Sequence, residues 1–135
     1  MNRLLIRCRL PSLNDVIDEN RRDKHKGNRM KQEIQDTIGQ YIRVSRSKKW
    51  LAPVTTEGNV VFIEWREANR KRDADNVHSS VKFVLDALVV HRILPNDTRR
   101  WVEQVFHKIV DSDEAGVAVY IMTREEWEAA KYQLI

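Results

Sequence analysis

Cysteine is almost absent from this chain: Cys8 is the only thiol in 135 residues. A lone cysteine excludes an intrachain disulfide framework and suits a reducing compartment, so a cytoplasmic location is expected. Long apolar runs are missing too. No stretch approaches the roughly 20 residues that span a bilayer, and no membrane partner is expected. The start, Met1-Asn2-Arg3-Leu4-Leu5-Ile6-Arg7, is too short and too interrupted by arginine for a secretory hydrophobic segment. His25, His78, His91 and His107 lack the tight spacing of a zinc site. There are no internal repeats and no low-complexity tract, and nothing points to a small-molecule cofactor.

Hydrophobic residues make up 41% of the chain, enough for one core, so residues 1–135 are expected to form a single domain. The charge balance is 24 Lys+Arg against 20 Asp+Glu, a net of +4. The distribution says more than the total. Arg21, Arg22, Lys24, Lys26, Arg29 and Lys31 cluster around one acid, Asp23. A second basic group is Arg43, Arg46, Lys48 and Lys49. A third is Arg66, Arg70, Lys71 and Arg72. The tail turns acidic, from Asp111 to Glu128. Such asymmetry suggests a one-sided basic surface for a polyanion, although an ordinary solvated face looks similar.

Hydrophobic periodicity gives the elements. Residues 3–10 alternate as a strand, and Pro11 to Asn14 reads as a turn. The basic stretch before Gly27 reads as a loop. Met30, Ile34, Ile38, Tyr41 and Ile42 form a stripe on a helix over 28–46. Residues 58–66 are a second strand. A helix runs from Asp75 to about Val90, with Val77, Val81, Val84, Leu85 and Leu88 buried. Residues 102–110 and 116–122 are two more strands. Thr123 and Glu126 make a capping-box pattern for a last helix. The order β-α-β-α-β-β-α implies an α+β domain, a small mixed sheet with helices covering one face. Trp50, Trp65, Trp101 and Trp127 read as packing residues rather than base-stacking platforms. Cys8 alternates onto the buried side of the first strand and reads as inert.

The chemistry concentrates in Arg70-Lys71-Arg72-Asp73-Ala74-Asp75-Asn76. Asp73 and Asp75 sit two residues apart, and a hard divalent cation relieves their repulsion. In an extended segment both point to one side. The plainer reading is that Asp75 caps the helix. Counted along that helix, Asp75, Ser79, Lys82 and Asp86 share a face. Lys82 on that face suits a phosphate oxygen that gains charge in a transition state. The plainer reading is a Lys82–Asp86 surface pair. Asp97 is a third carboxylate, but a helix of about 16 residues is roughly 24 Å long. Asp97 joins the pair only if the chain folds back, or if a second subunit supplies it.

Taken together, Lys71-Arg72-Asp73-Ala74-Asp75-Asn76, then Lys82-Phe83-Val84-Leu85-Asp86-Ala87-Leu88, then Asn96-Asp97, resembles the RusA family of Holliday-junction resolvases, common in phages and prophages. Leu10-Pro11-Ser12-Leu13-Asn14 is similar to that family's early Pro-Ser-x-Asn segment. The resemblance spans about Leu10 to Ile121. It implies a magnesium- or manganese-dependent endodeoxyribonuclease. Asp73, Asp75 and Asp97 would be the metal ligands and Lys82 the catalytic lysine. It also implies a homodimer that cuts a four-way junction on two strands, leaving 5′ phosphates and 3′ hydroxyls. Arg21, Arg22, Lys24, Lys26, Arg29, Lys31, Arg70, Lys71 and Arg72 would contact the phosphates of branched DNA, with little sequence readout.

Overall fold

The structure is a computed structural model that describes residues 1–135. Its elements are β1 (Asn2–Ile6), α1 (Leu13–Arg22), α2 (Lys24–Ser47), β2 (Asn59–Glu67), α3 (Ala74–His78), α4 (Val81–Val90), β3 (Val102–Asp111), β4 (Gly116–Met122) and α5 (Arg124–Leu134). The four strands form one mixed sheet in the order β1-β4-β2-β3. β2 runs parallel to β3 and antiparallel to β4, and β1 lies antiparallel to β4 on the far edge. This is the expected α+β class.

β2 is apolar along one face and at the start of the other, where Glu64 and Arg66 then pair with each other. Val61, Ile63 and Trp65 point into the main core, with Ile34, Ile38 and Ile42 of α2 and Val84 and Leu88 of α4. Val60 and Phe62 point the other way and meet Trp127 of α5. The helices therefore do not all cover one face. α1, α2 and α4 lie on one side, and α5 covers part of the reverse. The indole of Trp127 stacks on Phe106 at 4.6 Å and lies 5.9 Å from Phe62.

Three further expectations are corrected. The basic stretch expected as a loop is helical: it forms the last turn of α1 and the start of α2. Ser12 caps α1 through a reciprocal box with Asp15, and Asp23 caps α2 by accepting from the His25 amide. The Pro11–Asn14 turn is thus the entry to a helix. The single helix expected from Asp75 to Val90 is broken at Ser79 and Ser80. Ser79 Oγ donates to the Asn76 carbonyl and accepts from the Leu13 amide, while Ser80 Oγ donates to the Pro11 carbonyl. These side-chain bonds offer the chain an alternative to continuing the helix. The first strand also stops early, at Ile6.

Trp127→Ala is expected to cost about 3–5 kcal/mol by emptying the reverse face. Urea unfolding of the variant beside the wild type measures this. A loss near zero would mean that α5 is not part of the cooperative fold.

Candidate active site

The candidate site begins where β2 ends. Glu67, the last residue of the strand, is buried. Arg72 reaches back to it with two parallel bonds, Nε to Oε1 at 2.8 Å and Nη2 to Oε2 at 2.9 Å. Arg72 Nη1 donates to the Leu10 carbonyl at 3.0 Å. Both side chains of this pair are only 11% exposed. Arg72 was expected to contact phosphate. It is instead turned inward, because a buried carboxylate must be paired. Arg70 binds Asp111 at 2.6 Å on the open surface, where such a pair contributes little and exchanges readily. Lys71 is exposed and takes part in no ion pair.

These pairings leave two carboxylates free. Asp73 occupies the cap position of α3 and Asp75 its first turn, yet Asp73 makes no side-chain capping bond. Both are exposed, and neither joins an ion pair although three cations precede them. Asp73 is extended, but Asp75 is already helical, so the fully extended pair expected from the spacing is not formed. Asn76 Oδ1 accepts from Asn14 Nδ2 at 2.7 Å. With the Arg72, Ser79 and Ser80 bonds, this clamps the Leu10–Asn14 segment onto the acidic segment.

Lys82, Asp86 and Asp97 meet elsewhere. They line a cleft of about 590 Å³ between α2 and α4, together with Lys31, Asp36 and His91. Lys82 and Asp86 do not form the ordinary surface pair: no ion pair joins them. The break at Ser79 and Ser80 interrupts the helical face that was expected to run from Asp75 to Asp86. The chain does not fold back after α4 either. Asp97 precedes β3, whose first residue pairs with the first residue of β2, whereas Asp73 follows the last residue of β2. α4, with its 10 residues, is about 15 Å long and lies between them. No group of three or more His, Cys, Asp or Glu side chains in the single chain is arranged to hold a metal ion.

Arg21, Arg22, Lys24, Lys26, Arg29 and Lys31 are all exposed. Arg22 alone among them is ion-paired, with Glu19 at 3.6 Å. Sequence reasoning missed Glu67, Asn14, Ser79 and Ser80 as the residues that hold the acidic segment. The Ser12-x-x-Asp15 cap and the adjacent serines were the available signals.

One histidine pair also abuts the site. His78 of α3 stacks on His107 of β3 at 4.3 Å, and the buried Trp65 donates its Nε1 hydrogen to His107 Nδ1 at 3.0 Å. An indole nitrogen only donates, so Nδ1 carries no proton. Burial, and secondly the charge of His78, pushes His107 from the usual 6.5 to about 4.

No protein-family model matches the chain, and no curated protein matches it.

Arg72→Ala is expected to cost about 3–5 kcal/mol, since it strands the Glu67 charge in a buried position. Arg70→Ala should leave the unfolding midpoint nearly unchanged, because solvent screens its surface pair with Asp111. Equal losses in denaturant titrations would refute the division between the two arginines. His107 gives a pH test. The unfolded chain takes the extra proton near pH 6.5 and the folded chain only near about 4, so stability falls as pH drops through that window. Thermal midpoints across the window should fall less in His107→Gln than in the wild type.

Proposed function

We propose that this protein is a metal-dependent endonuclease of branched DNA, resolving four-way junctions by paired phosphodiester hydrolysis. One observation carries the reading: Asp73 and Asp75 stay unpaired beside Arg70, Lys71 and Arg72, because Glu67 and Asp111 occupy the two arginines. An adjacent, exposed carboxylate pair without its own cations suits a divalent ion. The oxygen donors suit magnesium or manganese. When bound, such an ion activates water and neutralises charge that builds on the phosphate.

The chain's own residues have separate tasks in this reading. Asp73 and Asp75 hold the ion. Lys82 meets a phosphate oxygen from its cleft. The exposed cations from Arg21 to Lys31 hold duplex arms by their phosphates. Asp97, as the third ligand, comes from a second copy of the chain, since its own copy carries it to the other end of α4. A symmetric dimer also matches the two-fold symmetry of a four-way junction and supplies two sites for two cuts.

The separation of Asp97 from Asp73 and Asp75 favours a second reading, in which the protein binds branched DNA with little or no cleavage. A synthetic four-way junction, beside a linear duplex of the same sequence, separates the two. Paired symmetric nicks in the junction, lost in EDTA, are expected. Asp75→Asn should keep junction binding and abolish cleavage. A rate within about tenfold of wild type would refute the assignment of the site. Tight binding with no cleavage in either metal would favour the second reading.

A further inference from the structure

α2 and α4 end in the same unusual way, and they end side by side. In α2 the Trp50 amide bonds the Ser45 carbonyl and the Lys49 amide bonds the Arg46 carbonyl. In α4 the Ile93 amide bonds the Leu88 carbonyl and the Arg92 amide bonds the Val89 carbonyl. Both patterns are Schellman closures, which need one residue in the left-handed region. That residue is normally glycine, because a side chain there is strained. Here it is Lys49, at φ 61°, and Arg92, at φ 60°, the only non-glycine residues with positive φ.

The two ends share a corner. Arg46 Nη1 lies 3.4 Å from the His91 carbonyl, and Arg3 donates its amide to the Trp50 carbonyl at 2.9 Å. The Arg3 guanidinium and the Lys48 ammonium both lie over the Trp50 ring, at 4.2 and 4.7 Å. Trp50 is therefore a seat for cations and not an open stacking platform. Arg3, Arg43, Arg46, Lys48, Lys49 and Arg92 join no ion pair. No acid occurs between Asp36 and Glu57. Cations do offset the negative ends of helix dipoles, but any last-turn position serves that purpose. It does not account for a long cation at two positions where glycine is easier.

We infer that this corner is a second phosphate-binding surface for nucleic acid, separate from the Arg21–Lys31 surface at the other end of α2. The inference rests on the nucleic-acid reading above and deepens it. α2 has 24 residues and spans about 36 Å. Lys26 and Ser45 are thus about 28 Å apart along it, roughly eight base-pair steps. Glu33 and Asp36 interrupt the run of cations between the two basic ends of the helix, so the surfaces act as two grips and not as one track. The corner adjoins the cleft of Lys82 and Asp97 through His91. A backbone held at both ends of α2 would pass that cleft.

The strained positions supply a test that misfolding cannot mimic. Lys49→Gly with Arg92→Gly removes two charges while easing both helix ends. Binding of a synthetic four-way junction in EDTA is followed against salt, with Arg124→Gln as a charge control on α5. The thermal midpoint of the double variant should stay level or rise. Its slope of log affinity against log salt should become shallower by about 2, as two released phosphate contacts require. Arg124→Gln should leave the slope unchanged. An unchanged slope in the double variant, with normal wild-type binding, would overturn this inference alone. An equal drop per charge in Arg124→Gln would reduce the effect to net charge and overturn the location. No junction binding by the wild type would overturn the inference together with the function it rests on.

Discussion

The pairing of Arg72 with Glu67 organises the rest of the molecule. Three parts of the chain meet at that guanidinium: the end of β2, the acidic segment, and the Leu10 carbonyl at the entry to α1. A carboxylate buried at a strand end is expensive to leave unpaired. Meeting it draws Arg72 inward, and Asp73, the next residue, is left at the surface. The same force that closes the fold therefore exposes the carboxylates. Asn14, Ser79 and Ser80 complete the attachment with neutral bonds. Geometry is held by one charged pair and a few amide and hydroxyl contacts, none of which uses Asp73 or Asp75.

Much of the architecture was legible because its signals are periodic. β2 and β4 are short, mostly apolar runs bounded by turn residues, and the Thr123–Glu126 box announces α5. The stripe on α2 was read correctly from Met30 to Ile42. What escaped was local and polar. Asp23 and the Ser12–Asp15 box start two helices in a stretch whose cations mask any apolar period. Ser79 and Ser80 interrupt a helix whose apolar stripe runs unbroken across the gap. Hydrophobic spacing does not register such a break, because it goes with serine hydroxyl bonds, one to the nearby Asn76 carbonyl and one to the distant Pro11 carbonyl.

The candidate site shows the same division. Which side chains are acidic or basic is plain in the sequence, but which of them remain available is not. Three consecutive basic residues read alike, yet Arg72 is bound inside, Arg70 holds Asp111 at the surface, and Lys71 is free. Asp97 follows the motif in sequence order, while the parallel pairing of β2 with β3 carries it to the opposite strand end. Spacing along a chain does not predict convergence here, because the crossover carries the chain back to the start of the sheet, and Asp97 lies there before β3 runs forward again.

The strand order has a consequence for how the chain assembles. β1 is the first element, yet its sole partner is β4, nearly the whole described length away. β2 and β3 find each other across one crossover built from α3 and α4. Closing the β1–β4 loop fixes far more chain and gains its contacts late. The central strands and their helices are thus suited to form the early nucleus. Leu4 and Ile6 can settle against α2 early, but their strand has no ladder partner until β4 arrives, so the edge that opens the sequence is the last to be hydrogen-bonded.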